Sequence, residues 1–325
     1  MHPSEFDIIR RYFTPGDSRD DIVLGVGDDC ALMSPPAGKL QATTVDTLIA
    51  GVHFPINTSA ADIAYKAIAV NLSDLAAMAA EPAWLTLALT LPDVDENWLE
   101  DFSRVFQQTA QRYGVQLIGG DTTHGPLSIT VQATGFVDAD RVMRRDAARP
   151  GDHIYLTGTI GDAALALRLH QAYLLKNENS NDAEYLLSRL NRPEPRVDFA
   201  QAVSVYARCA IDVSDGLLAD LDHIISASHC GARLELDALP LSEALLSVYA
   251  NNHEDVDLLN VLSGGDDYEL CLTINPELEQ EVQRLSENLN MPLTKIGQIT
   301  DSGTIECIDQ QGRPVGFTVA GYQHF

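Results

Sequence analysis

Six apolar segments of this 325-residue chain run into an aspartate set beside glycine, serine or threonine. They are "GVGDDCA" at 25–31, "TTVDT" at 43–47, "NLSDL" at 71–75, "IGGDTT" at 118–123, "IDVSDG" at 211–216 and "SGGDDYEL" at 263–270. One such aspartate is an ordinary N-cap or Asx-turn residue. Six are harder to dismiss, because Asp74 falls inside a helix-spaced, alanine-rich stretch. A carboxylate buried there without a counter-charge would resist ionisation and cost stability.

The segments between these endings set the fold class. β-branched content and alternation predict strands at 22–26, 40–46, 84–91, 115–118 and 127–137. Helical spacing marks "SAADIAYKAIAVNLSDLAAMAA" (59–80) and "DENWLEDFSRVFQQTAQRYG" (95–114), with Ser59 and Asp95 as N-caps and Gly114 as the stop. The order is not a strict strand–helix alternation, which points to α+β with mixed sheets. A seam follows at "DADRVMRRDAARPGD", where Pro150-Gly151 reads as a turn. Beyond it come a strand in "HIYLTGT", a helix from Asp162 to about Lys176, and an exposed loop "KNENSNDAEY" leading into a short helix. "ARCAIDVSDGLLADLDHIISASHCG" then supplies strand, turn and helix, closed by Gly231. Two domains are expected, 1–140 and 141–325.

A formal charge of -26 disfavours nucleic acid and anionic membrane as partners. The longest apolar run, "WLTLALTL" at 84–91, is too short to span a bilayer, and the acidic N-terminal stretch is no signal peptide. Cys30, Cys209, Cys230, Cys271 and Cys307 are odd in number and widely spaced, so reduced thiols in a cytoplasmic protein are expected.

What the aspartates could hold follows from their chemistry. In a strand, Thr44 and Asp46 share a face, and Asp212 pairs with Ser214 in the same way, with Asp215 at the next turn. In a helix, Asn71 and Asp74 lie three apart on one face. Oxygen-only donors of this kind suit Mg²⁺ or Ca²⁺ rather than zinc. No EF-hand loop is present. Mg²⁺ shares its shell with phosphates, so a polyphosphate substrate is indicated. There is no P-loop and no protein-kinase motif set, while "GTIGDA" at 158–163 has glycines but no lysine. Arg141, Arg144, Arg145 and Arg149 form the basic cluster at the seam, either solvated charge or a phosphate ligand. His53 in "AGVHF" is a candidate substrate contact. The residues alone indicate a Mg²⁺-dependent enzyme acting on a nucleotide or other polyphosphate.

At these motifs the chain resembles the thiamine-monophosphate kinase family of the aminoimidazole ribonucleotide synthetase-like (PurM-like) superfamily. The likeness runs from "FDIIRRYF" through "GVGDDCAL", "DTLIAGVHF", "KAIAVNLSDLAAMAAEPAWLTLALTLP", "LIGGDTT", "RPGDHIYLTGTIGDAALAL", "IDVSDGLLADLDHI" and "SGGDDYELC" to the terminal "GYQHF". The resemblance implies an N-terminal ATP- and Mg²⁺-binding domain whose sheet forms a barrel with a second subunit in a homodimer. It also implies a C-terminal α/β sandwich and ATP-dependent phosphorylation of thiamine monophosphate to thiamine diphosphate.

Carried over by motif, the resemblance implies Mg²⁺ ligands at Asp29, Thr44, Asp46, Asp74, Asp121, Asp212 and Asp215, with a backbone oxygen from Val45. Gly120, Asp121, Arg145, Ser214 and Tyr113 match ATP contacts, while His53, Asp266 and Tyr322 match substrate contacts. Asp46, Asp74 and Arg145 are the expected catalytic set. The family has Glu where this chain has Asp266. Of the adjacent Asp28 and Asp29, a strand would face one toward the metal, and the motif match selects Asp29, leaving Asp28 a turn or surface partner. The competing readings are another ATP-dependent PurM-like synthetase and a non-catalytic divalent-cation or nucleotide-binding protein.

Overall fold

The computed structural model describes residues 4–14 and 19–317. Two compact units divide it near residue 140. One holds the chain up to Leu75 together with Ala80–Asp140, and the other holds Ala76–Ala79 and the chain from Arg141 onward.

The first unit opens with a turn of helix, α1 (Glu5–Ile8), and a short ribbon of β1 (Ile22–Leu24) paired with β2 (Leu32–Met33). Its main sheet takes β3 (Leu40–Ile49), β4 (Glu81–Leu91), β5 (Gln116–His124) and β6 (Ser128–Val137) in the order β3-β6-β4-β5. β4 and β5 are parallel, the remaining neighbours antiparallel. The parallel pair needs a crossover, which α3 (Glu96–Arg112) supplies; Asp95 caps it through the amides of Asn97 and Trp98.

The other helix of this unit, α2 (Ala60–Ala77), is buried almost all round, as an alanine-rich helix without a polar face must be. Ser59 starts it by accepting from the Asp62 amide at 3.1 Å. β3 is half-buried on alternate residues: Ala42, Thr44, Asp46 and Leu48 turn inward, while Val45 stays 60% exposed on the other face. β3 and β5 are the edge strands.

The second unit is built on a seven-stranded mixed sheet. Its elements run β7 (His153–Thr157), α4 (Asp162–Gln171), α5 (Ser180–Asn191), α6 (Val197–Val203), β8 (Ala207–Asp212), α7 (Leu217–Ser228) and β9 (Gly231–Glu235). Then follow α8 (Glu243–Asn251), α9 (Leu258–Ser263), β10 (Leu270–Ile274), α10 (Glu279–Asn288), β11 (Leu293–Thr300), β12 (Ile305–Ile308) and β13 (Pro314–Val315). The sheet order is β13-β12-β9-β11-β7-β10-β8.

Alternation on β7 shows the layering. Ile154 and Leu156 join the core formed with α4, α5, α7 and α8, while the Tyr155 hydroxyl donates to Glu279 of α10 at 2.6 Å. Helices therefore cover both faces. α4 stops at Gln171, short of the expected Lys176, because Tyr173 takes a left-handed backbone (φ 58°). The stretch expected to be an exposed loop is already helical from Ser180, where Asn179 caps α5. Among the described residues, no helix is long and apolar enough to cross a membrane.

Candidate active site

In the first unit the inward face of β3 meets α2. The Thr44 hydroxyl donates to Asp74 Oδ2 at 2.5 Å, and Asp46 follows Thr44 on the same face, opposite Val131 of β6. One turn before Asp74 on the same helical face lies Asn71, fully buried. Its Nδ2 donates to Ala67 O at 3.0 Å, and its Oδ1 has no hydrogen-bond donor. These donors are all oxygens, and one is buried without a partner, a composition that fits a hard cation. Val45 occupies the edge strand, half of whose backbone groups lie outside the ladder.

A second part of this unit is a cavity of about 710 Å³ lined by Asp28, Asp29, Gly119, Gly120 and Asp121, with Thr86 and Gln132 on the sheet. β5 does not end at residue 118 as expected; it continues through "GGDTT", with a register shift opposite Leu85 and Thr86 of β4. Gly120 is what permits this. A Cβ at that position would sit 1.9 Å from the Leu87 carbonyl oxygen, so the two backbones come too close for any side chain. Nor do Asp28 and Asp29 sit in a strand. β1 stops at Leu24, and Asp28 Oδ1 accepts from the Asp29 amide at 2.8 Å in a turn. Asp28 is exposed and bonded to its neighbour's amide, and no strand alternation separates the two side chains.

Tyr113 and His53 lie apart from that cavity lining. Tyr113 caps α3, its hydroxyl 3.4 Å from Tyr65 OH and its ring under the Arg112 guanidinium. His53 folds back on the end of β3, where Nδ1 accepts from the Ile49 amide at 3.0 Å. That bond makes Nε2 the protonated nitrogen of the neutral ring.

In the second unit, Asp212 ends β8 buried, and Ser214 and Asp215 form the turn into α7. The turn is held by Asp220, which the sequence reading missed. Asp220 Oδ2 accepts from the amides of Ser214 and Asp215, both at 3.0 Å. Burial pushes its carboxyl up to about 7, against the pull of the Asp215 and Ser214 amides and, more weakly, of the Arg145 charge. Arg145 itself is exposed, with its carbonyl anchored by Ser228 Oγ at 2.7 Å. Arg145, Ser214 and Asp215 are therefore gathered around one buried acid. Of the other seam arginines, Arg144 is paired with Asp146 at 2.6 Å.

Asp266 joins the same turn. Its amide donates to Ser214 O at 2.8 Å, the Tyr268 amide donates to Val213 O at 2.8 Å, and the Tyr268 hydroxyl donates to Asp266 Oδ1 at 3.2 Å. Asp267, by contrast, is turned into the interior at 1% exposure. Tyr322 lies outside the described residues. Among the described residues, within neither unit do three carboxylate, imidazole or thiol groups converge closely enough to hold a metal by themselves.

Residues 27–137 match the family model for the AIR synthase related protein N-terminal domain, and residues 149–310 match that for its C-terminal domain. The chain is 50% identical over 329 residues to the thiamine-monophosphate kinase of Escherichia coli (strain K12), covering 100% of this chain and 99% of that one. Among solved structures, the thiamine-monophosphate kinase of Stenotrophomonas maltophilia K279a superposes with a TM-score of 0.84 at 47% identity, over 91% of this chain and 93% of that one. AaThiL complexed with AMPPCP and TMP superposes with a TM-score of 0.79 at 29% identity, over 90% and 89%.

Proposed function

The chain belongs to the thiamine-monophosphate kinases of the AIR synthase related family, and from that premise we propose how its residues carry out the reaction. It phosphorylates thiamine monophosphate to thiamine diphosphate at the expense of ATP. The observation that carries this is identity of 50% along the whole chain to a kinase of that activity, joined to a related fold that binds AMPPCP and TMP together.

The acceptor is a phosphate monoester with a second pKa of about 6. Its oxygen is a ready nucleophile at neutral pH, and no residue need act as general base. Transfer is direct and in line, so the protein's work is orientation and charge neutralisation. In the first unit, Asp29, Thr44, Asp46, Asp74 and Asp121, with the main chain of Val45, are the proposed Mg²⁺ ligands; in the second they are Asp212 and Asp215. Bound Mg²⁺ would neutralise charge on the phosphates during transfer. Gly120, at the point where β5 presses on β4, is a proposed main-chain contact to ATP. Ser214 offers a hydroxyl and Arg145 a fixed positive charge to ATP, and Tyr113 offers a ring for contact with it. His53 and Asp266 are proposed acceptor contacts, together with Tyr322.

We further propose a cytoplasmic homodimer in which a second copy covers the open face of the first unit's sheet. Val45 and Ile49 are exposed there, on an edge strand. Leaving such a face bare in water is unfavourable.

The test is ADP release measured against a panel of acceptors. Release that depends on thiamine monophosphate supports the kinase. ADP release driven instead by an amide or selenium donor would indicate a synthetase of the same superfamily, and nucleotide binding without turnover would indicate a binding protein.

A further inference from the structure

The loop that carries Asp266 is held in a conformation that its own residues disfavour. Asp266 (φ 70°) and Tyr268 (φ 51°) both take the left-handed backbone, and neither is glycine. Such residues persist only where the surroundings over-determine them. Between them, Asp267 points the opposite way, into the interior.

Both oxygens of Asp267 accept from the Gly161 amide, at 2.9 and 3.1 Å. Arg189 Nη2 reaches the Asp267 carbonyl at 3.4 Å and the carboxylate of Glu269 at 2.7 Å. Glu269, fully buried, is also gripped by Arg196 at 2.5 and 2.7 Å and by the Thr157 hydroxyl at 2.6 Å. The loop is thus nailed down at alternate residues, 267 and 269, while 266 and 268 remain together on the other side.

This arrangement explains "GTIGDA", a glycine motif with no phosphate-binding lysine. A Cβ on Gly158 would fall 2.1 Å from Glu269 Oε1, and one on Gly161 2.9 Å from Val261 Cγ2. The two glycines make room for the buried side chains, and the Gly161 amide, at the start of α4, is already taken by Asp267. The motif is a receptor for the acidic loop. Three buried carboxyls (Asp162, Asp267 and Glu269) face two guanidiniums, and burial pushes the carboxyls of Asp162 and Asp267 above the ordinary range. A tether this costly to bury is poorly explained as core packing alone.

We propose that Asp267 is a positioning residue for acceptor recognition: by binding the Gly161 amide it holds Asp266 in its left-handed conformation and aims it at thiamine monophosphate. The proposal rests on the reading of Asp266 as an acceptor contact. Asp267 does not touch substrate.

The test is steady-state kinetics of the full chain, with Asp267→Ala, Asp267→Asn and Asp266→Asn measured beside the wild type. Asp267→Ala is expected to raise KM for thiamine monophosphate by about tenfold or more, as for the loss of a charge-assisted hydrogen bond. KM for ATP should stay within about twofold of wild type. Asp267→Asn keeps the volume and one acceptor oxygen, so its acceptor KM should fall between the two. If the alanine variant does not fold, the asparagine variant decides. An acceptor KM that does not rise in the folded variants, or equal rises for both substrates, overturns the proposal. Asp266→Asn separates the two layers. An unchanged acceptor KM there removes the underlying reading of Asp266, while a raised one beside unchanged Asp267 variants overturns the positioning role alone.

Discussion

The Thr44 hydroxyl donates to an Asp74 oxygen across 2.5 Å and fastens edge strand β3 to the last turn of α2. A hydroxyl on a carboxylate at this distance is a charge-assisted bond. It fixes the Asp74 oxygens beside the face of β3 that carries Asp46. Asp74→Asn still offers Thr44 an acceptor, so the fold should survive, as it should in Asp46→Asn. Turnover is nevertheless expected to fall at least about a hundredfold in each, because the lost charge is one that would hold the cation. ADP release at saturating Mg²⁺ measures this, with thermal unfolding as the control. Wild-type turnover in either variant would remove these residues from the metal set.

Free thiamine should be a very poor acceptor. Its alcohol must lose a proton during attack, whereas a phosphate oxygen arrives deprotonated. A positioned base is worth about 10² to 10⁴ in rate, and the proposed reaction uses none. Turnover of thiamine should therefore be at least about a hundredfold below that of the monophosphate. Comparable rates would show that a base had been overlooked.

The two adjacent glycines of β5 should respond oppositely to a methyl group. At Gly120 a Cβ would meet the Leu87 carbonyl at 1.9 Å, whereas at Gly119 nothing lies within 4 Å. Gly120→Ala must push β4 and β5 apart, at an expected cost of more than about 2 kcal/mol. Gly119→Ala should fold normally. Equal melting temperatures for the two variants would contradict the close approach.

The contrast between these glycines also shows what could be read without coordinates. Helix caps at Ser59 and Asp95 and the alanine-rich burial of α2 follow from local chemistry, and the chain itself displays them. Asp220 has a local signal: an acid in the first turn of a helix, five and six residues beyond the turn whose amides donate to it. Asp267 has none. Its partner Gly161 is 106 residues away, and nothing in "GGDDY" distinguishes the inward aspartate from the outward one until the two left-handed residues are seen. The expectation that β5 ends at residue 118 fails for a related reason. Paired glycines ordinarily mark a turn, and only the nearness of the Leu87 backbone makes them strand residues here.

The pair Arg19–Asp21 offers a test of stability against pH. Asp21 Oδ1 accepts from Arg19 Nε at 3.0 Å and from the Trp84 indole at 3.2 Å, and Oδ2 accepts from Arg19 Nη2 at 2.9 Å. The Arg19 bond is the main cause that holds the Asp21 carboxyl below its ordinary 3.8. A carboxyl depressed in the folded state binds fewer protons there than in the unfolded chain. Its stabilisation is therefore fully present above the unfolded value and is lost as pH falls through the folded one. Asp21→Asn lacks the charge at every pH. The variant should be less stable than wild type by about 1 to 2 kcal/mol near neutrality, the lower part of the range for bonds to a charged group, because both partners are partly exposed. That gap should hold down to about pH 5 and narrow steadily below about pH 4. Denaturant unfolding of both proteins across this range measures it, and a gap that stayed constant into strong acid would show that the Asp21 charge contributes nothing.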